Sequence, residues 1–172
     1  SDGKRALAAA LQTDVPMLRG TEGETHILDN MQRKRGRIIT DRNDRTFDKL
    51  LGHVLGGYPV VLVGKIDGRD GDEIVEVKRR KNRLFNGVPE YERVQINAYM
   101  FLTDATTATH RQQFNDASEE TKMLFDADFW EDIRTKVLEF VKVECSSLEP
   151  FDEECMQAFE IRPSRVYNAM GE

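Results

Sequence analysis

Cysteine is scarce in this chain: Cys145 and Cys155 are the only two in 172 residues. That excludes a four-cysteine zinc or iron–sulfur site and a disulfide-stapled scaffold. A reducing, intracellular compartment is the corresponding expectation. Long hydrophobic runs are missing too. No stretch approaches the roughly 20 apolar residues that span a bilayer, so no membrane partner is expected. The opening Ser1-Asp2-Gly3-Lys4-Arg5 lacks both an initial Met and the apolar core of a secretory signal, which reads as a trimmed or engineered start in which any lost targeting segment is invisible. Repeats, low-complexity tracts and Pro/Gly-rich linkers are absent as well. Residues 1–172 are therefore read as one domain. An excess of positive charge is also lacking: 25 Lys+Arg stand against 31 Asp+Glu, a net charge of -6, which argues against a protein that simply coats nucleic acid.

What is present is segregated. Positive charge gathers in Arg33-Lys34-Arg35-Gly36-Arg37 and in Lys78-Arg79-Arg80-Lys81-Asn82-Arg83, whereas Ser118-Glu119-Glu120 and Phe151-Asp152-Glu153-Glu154 are acidic. Ala/Leu content predicts a helix over about 4–12. A second helix is expected to begin near Thr21, because Thr21 and Glu24 have capping-box spacing ahead of Ile27, Leu28 and Met31. A short helix is expected over Thr46–Leu55, ended by Gly56-Gly57. Then the period changes. Tyr58 to Asp67 and Glu73 to Lys78 are β-branched runs around Asp70-Gly71, a hairpin signal. Pro89-Glu90 opens a helix carrying Val94, Ala98, Phe101 and Leu102. Strands follow over about 105–115 and 119–126, and Asp128 is expected to cap a long helix over about 128–145, leaving a tail over about 146–172. The fold class is mixed α/β, a central mixed sheet flanked by helices.

The hairpin also brings chemistry together. With Asp70-Gly71 as the turn, Asp67 faces Ile74, and period-two alternation puts Asp67, Glu76 and Lys78 on one face. Carboxylates on a rigid face suit a hard divalent cation that keeps waters and phosphate oxygens as its other ligands. A lysine two residues beyond Glu76 can place its charge beside a water or a scissile phosphate.

Gly64-Lys65-Ile66-Asp67-Gly68 followed by Glu76-Val77-Lys78 resembles the core of the PD-(D/E)XK nuclease superfamily. Gln95 and Tyr99, at Q-x-x-x-Y spacing, and Gly20 to Glu24, at G-x-x-x-E spacing, are similar to motifs of its RecB-like and lambda-exonuclease-like branches. The motifs cover residues about 20–102. The resemblance implies a restriction-endonuclease-like core and a deoxyribonuclease using Mg²⁺ or Mn²⁺, with exonucleases of replication, repair and recombination as relatives. It implies that Asp67, Glu76 and the Val77 backbone carbonyl bind the metal, that Glu24 adds a contact, that Lys78 positions or activates water, and that Gln95 and Tyr99 brace the site or touch the DNA backbone. DNA, single- or double-stranded, is the implied partner, and a homo-oligomer is compatible with the family. Ile66 stands where the motif has Pro. His26 and His53 are imperfectly placed candidates for the motif histidine of RecB-like members, and the iron–sulfur branch is excluded.

Plainer readings stand beside these. Asp67-Gly68 also fits turn chemistry, and Glu76/Lys78 a solvated ion-paired strand face. Glu24 also fits a helix cap, Gln95/Tyr99 a buried polar pair, and Trp130 with Phe129 a core contact rather than a stacking platform. Arg79, Arg80, Lys81 and Arg83 follow the candidate catalytic strand, where a phosphate backbone needs countercharge. An endonuclease or RNase on the same fold, and a non-catalytic nucleic-acid-binding module, are the alternative functions.

Overall fold

Seven strands sort into two hydrogen-bonded groups in the computed structural model of the protein, which describes residues 18–54, 57–144 and 158–171. In chain order the elements are α1 (Leu18–Arg35), β1 (Phe47–Val54), β2 (Tyr58–Gly64), β3 (Gly68–Asp70), β4 (Glu73–Arg79), α2 (Glu90–Thr103), β5 (Thr107–Phe114), β6 (Ala117–Leu124), α3 (Ala127–Glu144), β7 (Phe159–Ile161) and α4 (Pro163–Ala169). One sheet has the order β1-β2-β7 and the other β3-β4-β5-β6. Each is mixed, with β2–β7 and β4–β5 parallel and the remaining pairs antiparallel. The mixed α/β class expected from the sequence is therefore the class found, with the sheet divided in two.

β4, which carries the candidate residues Glu76 and Lys78, is covered on both faces, as an interior strand with a parallel neighbour usually is. Val75 and Val77 pack with Ile27, Leu28 and Met31 of α1 and with Ile39. On the other face Ile74 packs with Ile66, Ile96, Met100 and Ala108. A larger apolar cluster fills the space between the β1-β2-β7 sheet and the helices α2, α3 and α4, around Leu62, Val94, Ile133, Val137 and Ile161.

Several expectations are corrected. The segment 46–55 is not a helix: β1 pairs antiparallel with β2 from Phe47↔Gly64 to Val54↔Tyr58. A bulge between Leu50 and Gly52 interrupts the alternation, so Leu50 faces solvent while Leu51 is buried. That break in period two is what gives the segment its helix-like spacing. The two β-branched runs do not pair with each other, because β2 joins β1 and β7 while the hairpin is made by the three-residue β3 with β4. Its two-residue loop is Gly71-Asp72, one position later than expected, with Asp70 opposite Glu73 and Gly71 at φ +63°. Glycine takes that left-handed conformation without strain. Helix α1 starts at Leu18, so Thr21 and Glu24 lie within it and not at its start. Asp126, not Asp128, caps α3: its carboxylate accepts from the Phe129 N–H at 3.0 Å and its carbonyl from the Trp130 N–H at 2.9 Å. The helix expected over about 4–12 and both cysteines lie outside the described residues.

Candidate functional site

The hairpin register decides which groups meet. Gly68 stands opposite Val75, and one further step along the register sets Asp67 against Glu76 rather than Ile74. A slip by two residues leaves every side chain on its face, so Asp67, Glu76 and Lys78 do share one. Gly68 is required here by close approach: a Cβ would stand 2.6 Å from Ile39 Cγ2. That segment crosses β3 through mutual hydrogen bonds between Thr40 and Arg69 at 2.8 Å, which hold the strand that begins just after Asp67.

Asp67 Oδ2 accepts from the Val77 N–H at 2.8 Å. Glu76 is buried at 4 % exposure, and Lys78 Nζ lies 2.9 Å from its Oε1. The same ammonium donates to Gln95 Oε1 at 2.9 Å, which ties β4 to α2. Tyr99, one turn on from Gln95 and hydrogen-bonded to it, completes the α2 side. Glu24 comes from α1 and is half-buried. Arg79 lies against α1 beside it, its guanidinium over Gly23, where a Cβ would be 2.2 Å from Nη1.

These groups perturb one another. Burial, then the charges of Glu76 and Glu24, push the Asp67 carboxyl well above its ordinary range, against the Val77 hydrogen bond and Lys78. Burial and the Glu76 charge raise Glu24, with Lys78 and Arg79 opposing. Burial alone would lower the Lys78 pKa, but the charge and hydrogen bond of Glu76, followed by the charges of Asp67 and Glu92, raise it. Lys78 is thus an ammonium through neutral pH, a hydrogen-bond donor and not a proton acceptor. Burial and the carboxylates Glu76 and Asp67 raise Tyr99 well above its usual value, so its hydroxyl keeps its proton.

The donor set is hard oxygen: three carboxylates, of which Glu76 alone bonds to the Lys78 ammonium. That chemistry fits a divalent cation. The carboxylates are not gathered round a common point, however: among the described residues no three acidic, histidine or cysteine side chains form a ready metal-binding group. Asp67 is turned to Val77 and Glu76 to Lys78, so a cation would compete with both partners.

The expected basic track is discontinuous. Arg79, Lys81 and Arg83 are exposed, but Arg80 turns inward with its side chain 8 % exposed, forming two bonds to Glu92 at 2.6 and 2.8 Å and stacking on Phe85. Neither candidate histidine joins the cluster. His26 is exposed on α1 within 3.3 Å of Asn30, and His53 is exposed on β1, in the other sheet. The histidine that sequence reasoning passed over is His110 on β5, fully buried, with Nε2 2.8 Å from Glu92. Trp130 is buried and stacks on Phe101, a core contact as its plainer reading has it.

No protein-family model matches this chain, and no curated protein matches it. Among solved structures it is similar to the crystal structure of SSO0001, with a TM-score of 0.52 and 13% identity over 98% of this chain and 69% of that one. It is also similar to an alkaline exonuclease (LHK-Exo) from Laribacter hongkongensis, with a TM-score of 0.45 and 16% identity over 85% of this chain and 86% of that one. Identities this low speak to fold and assign no residue a role. No helix among the described residues is long and apolar enough to cross a membrane.

Proposed function

We propose that this chain is a divalent-metal-dependent deoxyribonuclease of the PD-(D/E)XK type, an exonuclease that hydrolyses DNA phosphodiester bonds at ends arising in replication, repair or recombination. The observation that carries the reading is the charge imbalance at the end of β4: burial, then the charge of Glu76, raises the proton affinity of Asp67 and Glu24, although the Lys78 ammonium opposes both. A structural ion-pair cluster is arranged to balance; a cation-binding centre is left short of positive charge. Asp67 and Glu76, joined by Glu24 and the Val77 carbonyl, would hold Mg²⁺ or Mn²⁺, which supplies Lewis acidity toward a phosphoryl oxygen and a more acidic water. Lys78, held by Glu76 and Gln95, presents N–H donors to the charge that builds on the phosphoryl group. Tyr99 stays neutral and adds no repulsion toward a polyanion. Arg79, Lys81 and Arg83, exposed just beyond the centre, offer countercharge to neighbouring phosphates.

The test is digestion of end-labelled linear and closed-circular DNA, single- and double-stranded, with Mg²⁺, Mn²⁺ or EDTA, comparing wild type with Lys78→Ala. Metal-dependent loss of linear DNA alone, abolished by the substitution, is the expected result. Cutting of circles would make the protein an endonuclease, and cutting of RNA alone a ribonuclease. Binding without any cleavage would make it a nucleic-acid-binding module.

A further inference from the structure

Behind Lys78 lies a second buried polar group that the mechanism above does not use. Arg80 lies just past the end of β4, where its N–H still bonds to the Gln113 carbonyl at 2.8 Å, and follows Lys78 by two residues, so the two share a face. Glu92 precedes Gln95 by three residues on α2, so these two are neighbours on the helix surface. The pairs form two adjacent rungs: Lys78 to Gln95 at 2.9 Å, and Arg80 to Glu92 through a two-bond fork at 2.6 and 2.8 Å. Glu92 also reaches β5, where His110 Nε2 lies 2.8 Å from its Oε2. Arg80 and His110 hold the Glu92 carboxyl at about 2 against the cost of burial. An ionised carboxylate only accepts, so the hydrogen in that contact is on His110 Nε2. Gln112, fully buried on β5, accepts from Arg80 Nε at 2.9 Å and closes the group.

The N-terminal end of α2 has little else of this kind to fix it. Pro89, its N-cap, makes no side-chain capping bond. A guanidinium–carboxylate fork tolerates little sliding, because both bonds must be kept in plane. Buried ion pairs are poor sources of stability compared with apolar residues of the same volume, so the contribution that distinguishes this one is geometric. We propose that Glu92 is a positioning residue of the candidate catalytic centre: by gripping Arg80 at the end of β4 and His110 on β5, it sets the register of α2 that brings Gln95 to Lys78. Its catalytic consequence rests on the nuclease reading; its effect on Lys78 does not.

Glu92→Gln alone strips a buried arginine of its counter-charge, a change large enough to unfold the protein. The Arg80→Gln/Glu92→Gln double variant removes both charges together and carries the test. The full chain is grown with lysine labelled with ¹³C at Cε, and the Lys78 signal is identified by its loss in Lys78→Ala. In the double variant the Lys78 resonance should move from its wild-type position, with its bond to Glu76 kept and that to Gln95 lost. Single-turnover cleavage of linear DNA with Mg²⁺ should fall about 10- to 100-fold, the range for residues that orient a metal site from behind, with KM for DNA unchanged. A double variant that melts with wild type, keeps the Lys78 resonance in place and cleaves at the wild-type rate overturns the proposal. If wild type cleaves nothing, the nuclease reading falls, and the resonance alone decides: displaced, Glu92 positions Lys78; unmoved, it does not.

Discussion

The two ends of β4 carry similar numbers of carboxylates and opposite electrostatics. At the hairpin end Asp70, Glu73 and Glu120 surround Arg35, at 2.7, 3.2 and 3.1 Å from its guanidinium. Lys122 adds a second cation to Glu73, and Arg111 a second to Glu120. Burial would raise the pKa values of Glu73 and Glu120, but these partners reverse it and hold both low. The cleft there, about 330 Å³ and lined by Arg35, Arg37, Asp70, Glu73 and Lys122, sets three cations against two carboxylates. At the other end Asp67 and Glu24 are raised, by burial and then by the charge of Glu76, which Lys78 and, for Glu24, Arg79 oppose without reversing. Acidic residues in number say little; whether their charge is already matched separates a staple from a candidate cation site.

Breaking the comparison at its unmatched end should have the largest effect. Lys78→Ala is expected to lower kcat by about 10² to 10³, the scale for losing one preorganised donor to transition-state charge, measured by single-turnover cleavage with Mg²⁺. At the matched end the loss should appear in stability instead. Arg35→Met leaves Asp70 and Glu73, 5 % and 14 % exposed, without their shared donor. A cost of about 2 to 3 kcal/mol follows from losing hydrogen bonds to charged groups, read from urea midpoints, with the cleavage rate per folded molecule unchanged.

The pH dependence sharpens the contrast further. A raised carboxyl pKa means that the folded chain binds the proton more tightly than the unfolded one, so Asp67 and Glu24 penalise the fold once ionised. That penalty fades as pH falls through their folded values and is gone below the unfolded ones. Glu73, Glu92 and Glu120 are lowered, so their stabilisation is complete above the unfolded value and is lost as pH falls through the folded values, about 2 for Glu92. In EDTA the protein should gain stability on acidification from neutral pH toward the ordinary carboxylate range and lose it below. Asp67→Asn should remove much of that gain and stabilise the metal-free protein at neutral pH by on the order of 1 kcal/mol, the size of a typical single-site change. Mg²⁺ should raise the urea midpoint of wild type but not of Asp67→Asn.

Legibility in the sequence followed the range of the interactions. Local signals sufficed for β5, β6, α2 and α3, and alternation alone put Glu76 and Lys78 on one face. Gln95 meets Lys78 as the spacing of the two motifs allowed. What escaped was non-local or interrupted. The partner of β2 is β1 across a bulge, and β7 joins only from the far end of the chain. Arg80 looked like a surface cation because its neighbours are Arg79 and Lys81, and only its contact with Glu92, 12 residues away, shows it to be internal. His110 had no motif around it; its meaning comes from the same Glu92.

The smallest expected effect tests whether matching, rather than mere proximity, defines the hairpin staple. Lys122 and Arg35 both reach Glu73, yet the Lys122 side chain is 69 % exposed and that of Arg35 19 %. An exposed ammonium is screened by water and salt, and it gives up side-chain entropy to hold its contact. Lys122→Ala should therefore cost about 0.5 kcal/mol or less, with the loss vanishing in high salt, while the Arg35→Met loss persists there. Equal, salt-insensitive losses would mean that every cation at the hairpin end counts alike, and that the matched and unmatched ends of β4 differ only in how many cations each holds.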